Sequence, residues 1–443
     1  MKIQFIYVIE EYRGGVPGDK GMPVRNSKSV NLSPIIVIGG GPSGLLAAIT
    51  ASKNARQVIL YNKNPWPGKK IAAVPSEELY FSEKLPPTKL ASGFDDKSKF
   101  VAPIFKAFGY TDLIKLGKKM KLHLEADQFG HFKANGIPGD GLIKSLLAEA
   151  EKRGVLYKKS SRVSDIYTYR KKVVGVAVNS TRVPASAVIL AAGSISAPKL
   201  GSTNDGYIIA EKLGHKINTI KPALTDLITH EKHNKILKGL TFDDVVISIY
   251  IDGRQTHSEK GEIKFKADSI SGSFILNHSA EIIELLPKHT VEIRLDFMPE
   301  QTRESLETWL IKQLMAKRTI NIKQCLNGHF SDGIIKAIFA ESGIKPDKSV
   351  IHISNLERKA MVQAVKSFRM TIKAPKPFNY SRGVLGGVST DEIDPHTCQS
   401  KVIKSLYFAG GVMDVLGPWG GYNMQFAFSS GYVAGNAACN GLK

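Results

Sequence analysis

The sequence is poor in sulphur, in long apolar runs and in negative charge, and each shortage removes a class of function. Three cysteines in 443 residues, Cys325, Cys398 and Cys439, are too few and too far apart for a disulfide framework or a Cys-x-x-Cys relay. A reducing cytoplasm is the expected compartment. No apolar stretch reaches the roughly 20 residues of a bilayer span. The first 33 residues mix charge, glycine and proline without the basic-then-apolar order of a secretory leader, and are expected to be a flexible extension. The histidines are scattered: His123 and His131 lie eight residues apart, His215 follows Gly214, and no His-x-x-x-His or His-Glu-x-x-His spacing occurs. No metal centre is expected on that spacing.

Acidic residues number 40 against 61 basic ones, a net charge of +21. Such a surplus suits a polyanionic partner. Its distribution argues otherwise, because the basic residues are spread over 53–119 and 152–182 and the C-terminal part is near neutral. Lys118-Lys119 and Arg170-Lys171-Lys172 read as solvated faces, and no arginine-rich arm accompanies them. Nucleic acid is therefore a secondary expectation, motivated by charge alone. A hydrophobic fraction of 42% and a charged fraction of 23% describe a folded chain, and 443 residues is long for a single core.

Glycine, in contrast, is plentiful and placed. Ile35 to Ile38 reads as a buried parallel strand running into Gly39-Gly40-Gly41-Pro42-Ser43-Gly44, then a small apolar helix from Leu45, then a second strand from Val58 to Tyr61. In such a βαβ unit Gly39 makes the tight turn, Gly41 admits a pyrophosphate to the backbone, and Gly44 lets helix and strand pack closely. The helix N-terminus adds bare N–H groups and about half a positive charge. Where a dinucleotide fold carries an acid for the ribose hydroxyls, this chain has Asn62, whose amide can bond the same hydroxyls without charge assistance.

From Asn64 to Lys121 the chain is proline-rich and basic; Gly68-Lys69-Lys70 reads either as a segment over a bound diphosphate, with Lys70 at the site, or as an exposed loop. A helix is expected over 141–154, capped by Asp140 and ended by Gly154. Strands follow at 155–157, 173–178 and 186–193, the last ending in Ala191-Ala192-Gly193, small enough to leave room for a ligand. After Pro222 the period changes to two: Val245, Ile247, Ile249 and Ile251 alternate, Asp252-Gly253 marks a hairpin, and Val291 to Phe297 alternates again. Leu306, Trp309, Leu310 and Leu314 return to helical spacing. Residues 222–380 thus read as an antiparallel β insertion with a helical part near 300–345. The dinucleotide fold is expected to be discontinuous, 34–221 and 381–443. Its second part holds a strand at Ser405–Ala409, the glycine-rich stretch Gly410 to Asn423, with Gly410 counted in the site, and a terminal helix over 424–438. That helix N-terminus suits a flavin carbonyl or ribitol hydroxyls, or is a plain glycine turn.

Taken together, these segments resemble the flavoprotein family described as HI0933-like or BaiN-like, related to the glutathione-reductase-type FAD folds. The likeness covers about 34–440 and is carried by Ile35 to Ala48, Leu190 to His215 and Gly386 to Gly435. It implies an α/β fold: a Rossmann-type FAD-binding domain with an inserted antiparallel β-barrel-like domain and a small helical subdomain. It also implies that Gly39, Gly41, Ser43 and Gly44 hold the diphosphate, Asn62 and Lys63 the adenosine ribose, Val163 the adenine through its backbone, and Ala192 and Gly193 the ADP side. Asp414, Gly421, Tyr422 and Asn423 would approach the ribitol and ring, with Tyr422 either a proton donor or a packing group. The chain departs from the family's pattern after Lys70, where a polar Arg-Cys-Asn loop gives way to Ile71 to Leu85; at Ala267, in place of a histidine; and at Gly411, in place of an acid. The implied activity is FAD-dependent oxidoreduction of a small organic substrate, with NADH or NADPH as transient donor. A flavin-binding protein without catalysis and a nucleic-acid-associated flavoprotein are the alternatives.

Overall fold

Four consecutive apolar residues can all be buried only where a strand has a neighbour on each side and cover on both faces. Ile35–Ile38 meets that condition, no residue of it being more than 7% exposed. It pairs in parallel with Val58–Tyr61 on one side and Ala187–Leu190 on the other. Leu406–Phe408 and Leu156–Lys158 complete a five-stranded parallel sheet at its two edges. Each buried isoleucine of the central strand contributes about 1.5–3 kcal/mol relative to an exposed one. This computed structural model describes residues 33–54, 57–75, 79–122, 124–127, 130–134, 138–231 and 233–441. The expected extension before Ser33, and His123, lie outside them.

Pro42–Ala51 follows the first strand, with proline in its first turn where no backbone N–H is required. The C-terminal helix Tyr422–Asn440 supports the same sheet, and its Ser430 Oγ accepts a hydrogen bond from Gly410 N at 2.9 Å. The helix expected from Gly141 begins at Gly139 and ends at Lys152. Asp140 is not its cap: the extended Pro138 occupies that place, and Asp140 sits inside the first turn, 2.8 Å from Lys144 Nζ.

The segment 64–121 is not a plain loop. It folds into Pro87–Ser92, Ser98–Ala107 and Tyr110–Lys119, beside a small sheet of Tyr80–Glu83, His131–Ala134 and Leu124–Ala126. Its prolines mislead because Pro87 opens a helix instead of breaking one.

The 222–380 region closes into a six-stranded barrel in the order Leu227–Thr229, Ser269–Ser271, Arg254–Phe265, Thr241–Ile251, Val291–Asp296 and Phe368–Pro375. The alternating Val245, Ile247 and Ile249 pack in its core with Ile293, Leu295 and Phe368. Asp252 and Gly253 both have positive φ, 48° and 81°, as a two-residue type I′ hairpin requires. Helices fill the connection between the last two strands and run on to Lys366, beyond the expected 345. An antiparallel ribbon, Ile217–Ala223 with Gly383–Val388, leads from the sheet into the barrel and back. Both regions belong to one compact unit, Ser33–Lys443. Among the described residues no helix is long and apolar enough to cross a membrane. Cys325, Cys398 and Cys439 are free and buried, and burial, then the charge of Asp394, raises the Cys398 thiol far above its ordinary range.

Candidate functional site

The carboxyl ends of the parallel strands open into a cavity of about 620 Å³ that extends to the mouth of the barrel. That size falls within the roughly 300–1,000 Å³ typical of ligand pockets. At the sheet end the first strand turns at Gly39, whose φ of 112° and contact with the Ala191 carbonyl leave no place for a side chain. Gly41 is the reverse case: among the described residues, its chain neighbours aside, no atom lies within 4 Å of the position its β-carbon would take. The start of helix Pro42–Ala51 therefore faces open space, and its unpaired N–H groups suit an anion.

Of the residues singled out from the sequence, Gly39, Gly41, Ser43, Asn62, Lys63, Lys70, Val163, Ala192, Gly193, Gly421 and Asn423 line this one cavity. Four others are not in its lining, and each has a protein partner. Gly44 packs against the Gly39 carbonyl, and Gly410 against Ser43. Asp414 Oδ2 accepts a hydrogen bond from Asn218 Nδ2 at 2.7 Å and lies 3.5 Å from Lys97 Nζ. The Tyr422 ring lies 5.9 Å from that of Phe94, and burial, followed by the nearby Glu83 carboxylate, raises its hydroxyl pKa.

Asn62 is committed to its own turn. Its Nδ2 donates to the carbonyls of Asn64 at 2.8 Å and Trp66 at 3.1 Å, while Oδ1 accepts from Gly40 N at 3.3 Å. An aspartate here would set a carboxylate against two carbonyl oxygens, which explains the amide physically. The negative charge at this end comes from Asp205. It pairs with Arg162 at 2.7 Å and with Lys63 at 3.4 Å, and Lys63 also bonds Thr203 Oγ1. Burial opposes the Asp205 charge, but hydrogen bonds from Arg162 and Thr203 and the two nearby cations outweigh it, so its pKa stays below the usual carboxylate value.

Lys70 lies deeper. Its Nζ bonds the Ser194 carbonyl at 3.2 Å and Ser196 Oγ at 3.1 Å, both neutral acceptors. Burial, then repulsion from Lys63, pushes the ammonium down to about 8. Beyond it Ile71, Val74 and Leu79 supply an apolar wall.

At the barrel end Asp226, 2% exposed, accepts hydrogen bonds from Lys266 Nζ and Ser271 Oγ at 2.6 Å each. The Arg382 guanidinium lies 3.9 Å from Asp226 and 4.9 Å over the Trp419 ring. Asn423 closes the adjoining loop through Gly417 N and the carbonyls of Gly417 and Pro418. Asp205, Asp226, Lys266 and Arg382 were not singled out from the sequence. Asp205 lies inside the stretch Leu190 to His215 that carried the family likeness, whereas no local spacing distinguishes Arg382.

Comparison with known proteins gives the same architecture. Residues 33–437 match the HI0933-like protein Rossmann domain. The 3-dehydro-bile acid delta(4,6)-reductase of Clostridium scindens is 28% identical over 415 residues, which is 92% of this chain and 99% of that protein. The ribosomal RNA dihydrouridine synthase of Haemophilus influenzae is 26% identical over 410 residues, 90% of this chain and 96% of that one. Among solved structures, 3-ketosteroid delta1-dehydrogenase of Sterolibacterium denitrificans shares the fold at a TM-score of 0.51 and 12% identity, covering 93% of this chain and 100% of that chain.

Proposed function

The chain belongs to the HI0933-like family of Rossmann-type, FAD-dependent flavoprotein oxidoreductases, and from that premise we propose that it reduces a carbon–carbon double bond conjugated to a carbonyl. Two relatives support this choice: their names describe a reductase of an unsaturated 3-oxo bile acid and an enzyme that saturates uridine. In both, the alkene reduced is conjugated to a carbonyl. The observation in this chain that carries the reading is that one cavity is lined both by a helix N-terminus of the kind that suits an anion and by an apolar wall with the Arg382 guanidinium over Trp419 at its other end.

The residues fit FAD. Gly41 leaves the cradle open, and Lys70 is a half-buried ammonium whose hydrogen-bond partners among the described residues are neutral oxygens, an arrangement a diphosphate would complete. Gly39, Gly41, Ser43 and Lys70 would hold the diphosphate; Lys63, Asp205 and the Val163 backbone the adenosine; Ala192 and Gly193 the ADP side; Gly421 and Asn423 the ring end. Bound FAD would supply hydride for the electrophilic carbon of the alkene, and the enolate so formed would take a proton from solvent at its other carbon to give the saturated product. Arg382 would donate to the substrate carbonyl oxygen and stabilise the charge that collects there. Ile71, Val74, Leu79 and Trp419 would exclude water and seat an apolar substrate. With a single dinucleotide fingerprint in the chain, NADH or NADPH would enter this same cavity to deliver electrons.

A diphosphate beside Lys70 favours the ammonium form and lifts its pKa above the value of about 8 in the flavin-free protein. The complex then holds the proton more tightly than the free protein does. FAD affinity is therefore expected to be full below about pH 8 and to fall as pH rises through it, by at most about tenfold per pH unit. Fluorescence titration of FAD should show this slope, and Lys70→Met should both weaken binding and flatten the profile. A level wild-type profile between about pH 7 and about pH 9.5 contradicts the placement of Lys70.

The reaction itself is tested by mixing anaerobically reduced protein with a steroidal enone, with uridine and with ribosomal RNA, following return of the oxidised flavin spectrum. Reoxidation by the enone supports the proposal. Reoxidation by RNA alone keeps the conjugated alkene as the group reduced and makes nucleic acid the substrate, the alternative motivated by the net charge of +21. Failure with all of them removes conjugated alkenes as the substrate class.

A further inference from the structure

Three side chains of metal-binding chemistry converge outside the cavity: His257 on the barrel strand Arg254–Phe265, and His278 and Glu281 on the helix Ser273–Leu285. His278 and Glu281 are three residues apart and so share one face of that helix. The face meets the strand, since the rings of His257 and His278 are 5.1 Å apart and His257 Nε2 is 4.0 Å from Glu281 Oε2. One ligand atom from each residue lies within 4.8 Å of the other two. Zinc–nitrogen bonds of roughly 2.0–2.1 Å in a tetrahedron set ligand atoms roughly 3.4 Å apart. Closing the difference takes small side-chain rotations, and the side chains of His257 and Glu281, 42% and 45% exposed, have room for them.

The orientation of His278 is already fixed. Its Nδ1 lies 3.0 Å from the Phe274 carbonyl, and its ring packs 4.2 Å from the Phe274 ring. A proton on Nδ1 donates to that carbonyl and leaves Nε2 bare, the outer hydrogen bond that metal-binding imidazoles generally carry. His257 Nδ1 has Thr256 Oγ1 at 3.2 Å in the same role. We propose that His257, His278 and Glu281 form a binding site for a zinc-type divalent ion, with the fourth position open to water. Two imidazoles and one carboxylate select zinc or its transition-metal neighbours over calcium and magnesium, which take oxygen ligands. No local spacing in the sequence marks these three residues, because the third comes from a strand about twenty residues upstream of the helix pair.

The ion would tie the helix to the barrel strand beside Asn277, whose Oδ1 accepts the backbone N–H of Trp419 at 2.8 Å. Trp419 lines the cavity, so the ion braces one wall of the candidate substrate chamber.

The test is a zinc titration of tag-free, full-length, flavin-loaded protein against a chromophoric chelator. About one equivalent is expected to bind, with Glu281→Gln and His278→Ala each weakening it about 100-fold or more. His352→Ala, on a remote exposed turn, should leave affinity unchanged. Saturating zinc should raise the Tm of the wild type but not of Glu281→Gln, an isosteric exposed change that keeps the test valid should His278→Ala misfold. No zinc bound by the wild type, or equal affinity in wild type and Glu281→Gln, would overturn the proposal and leave the cluster a surface His–Glu pair.

Discussion

Gly41→Ala is expected to fold like the wild type yet emerge without flavin, whereas Gly44→Ala is expected to lose both stability and flavin. The difference follows from where each methyl group goes. At Gly41 no atom of the described residues beyond its chain neighbours lies within 4 Å and the backbone, at φ −80° and ψ 178°, suits alanine, so the methyl displaces what the cradle binds. At Gly44 the methyl collides with the Gly39 carbonyl and stands 3.3 Å from Ala191 Cβ. Neither is the end of a flexible side chain, so the helix must move away from the sheet. Overpacking of this kind costs about 1–3 kcal/mol, enough to lower Tm by several degrees. A displaced helix N-terminus also withdraws its N–H groups from the diphosphate, and FAD affinity should fall about 100-fold or more, the equivalent of about 3 kcal/mol. Thermal melts with and without added FAD separate the two effects. If Gly41→Ala retains FAD as the wild type does, the cradle is not where the diphosphate sits.

Arg382→Ala should lower kcat for enone reduction by about 10²–10³, the range for loss of a single donor to a developing oxyanion. Stability should change little, because the side chain is partly exposed and the buried Asp226 keeps Lys266 and Ser271 as partners. Arg382→Lys retains a charge but loses the planar fork over Trp419, so it should fall between the two. A loss confined to KM would reduce Arg382 to a substrate-binding group. Unchanged kcat and KM in the alanine variant would place the carbonyl elsewhere in the chamber.

Much of the scaffold could be read from the chain because its signals are local. Ile35 to Ile38 followed by spaced glycines specifies strand, turn and helix within about a dozen neighbouring residues, and the period-two run at Val245 to Ile251 announces a barrel strand without its partners. The stretch 64–121 carries weaker local signals, since proline is common in loops and yet Pro87 starts a helix. The site divides along the same line. Gly39, Gly41 and Lys70 belong to contiguous motifs, while Asp205, Arg382 and Asp226 acquire their roles only from partners far along the chain. Asn62 shows the opposite limit. Its position at the end of the second strand marked it for the ribose, but the Asn64 and Trp66 carbonyls that take up its donors follow from the local turn, which the residue type does not reveal.

FAD in the long cavity underlies the proposed reaction, and the visible spectrum of the full-length protein, as purified and after incubation with FAD, tests its presence most directly. A flavin spectrum in about one-to-one ratio with protein, released on denaturation and identified as FAD, is the predicted result. A colourless protein that takes up no FAD while its wild-type fold melts cooperatively would contradict it.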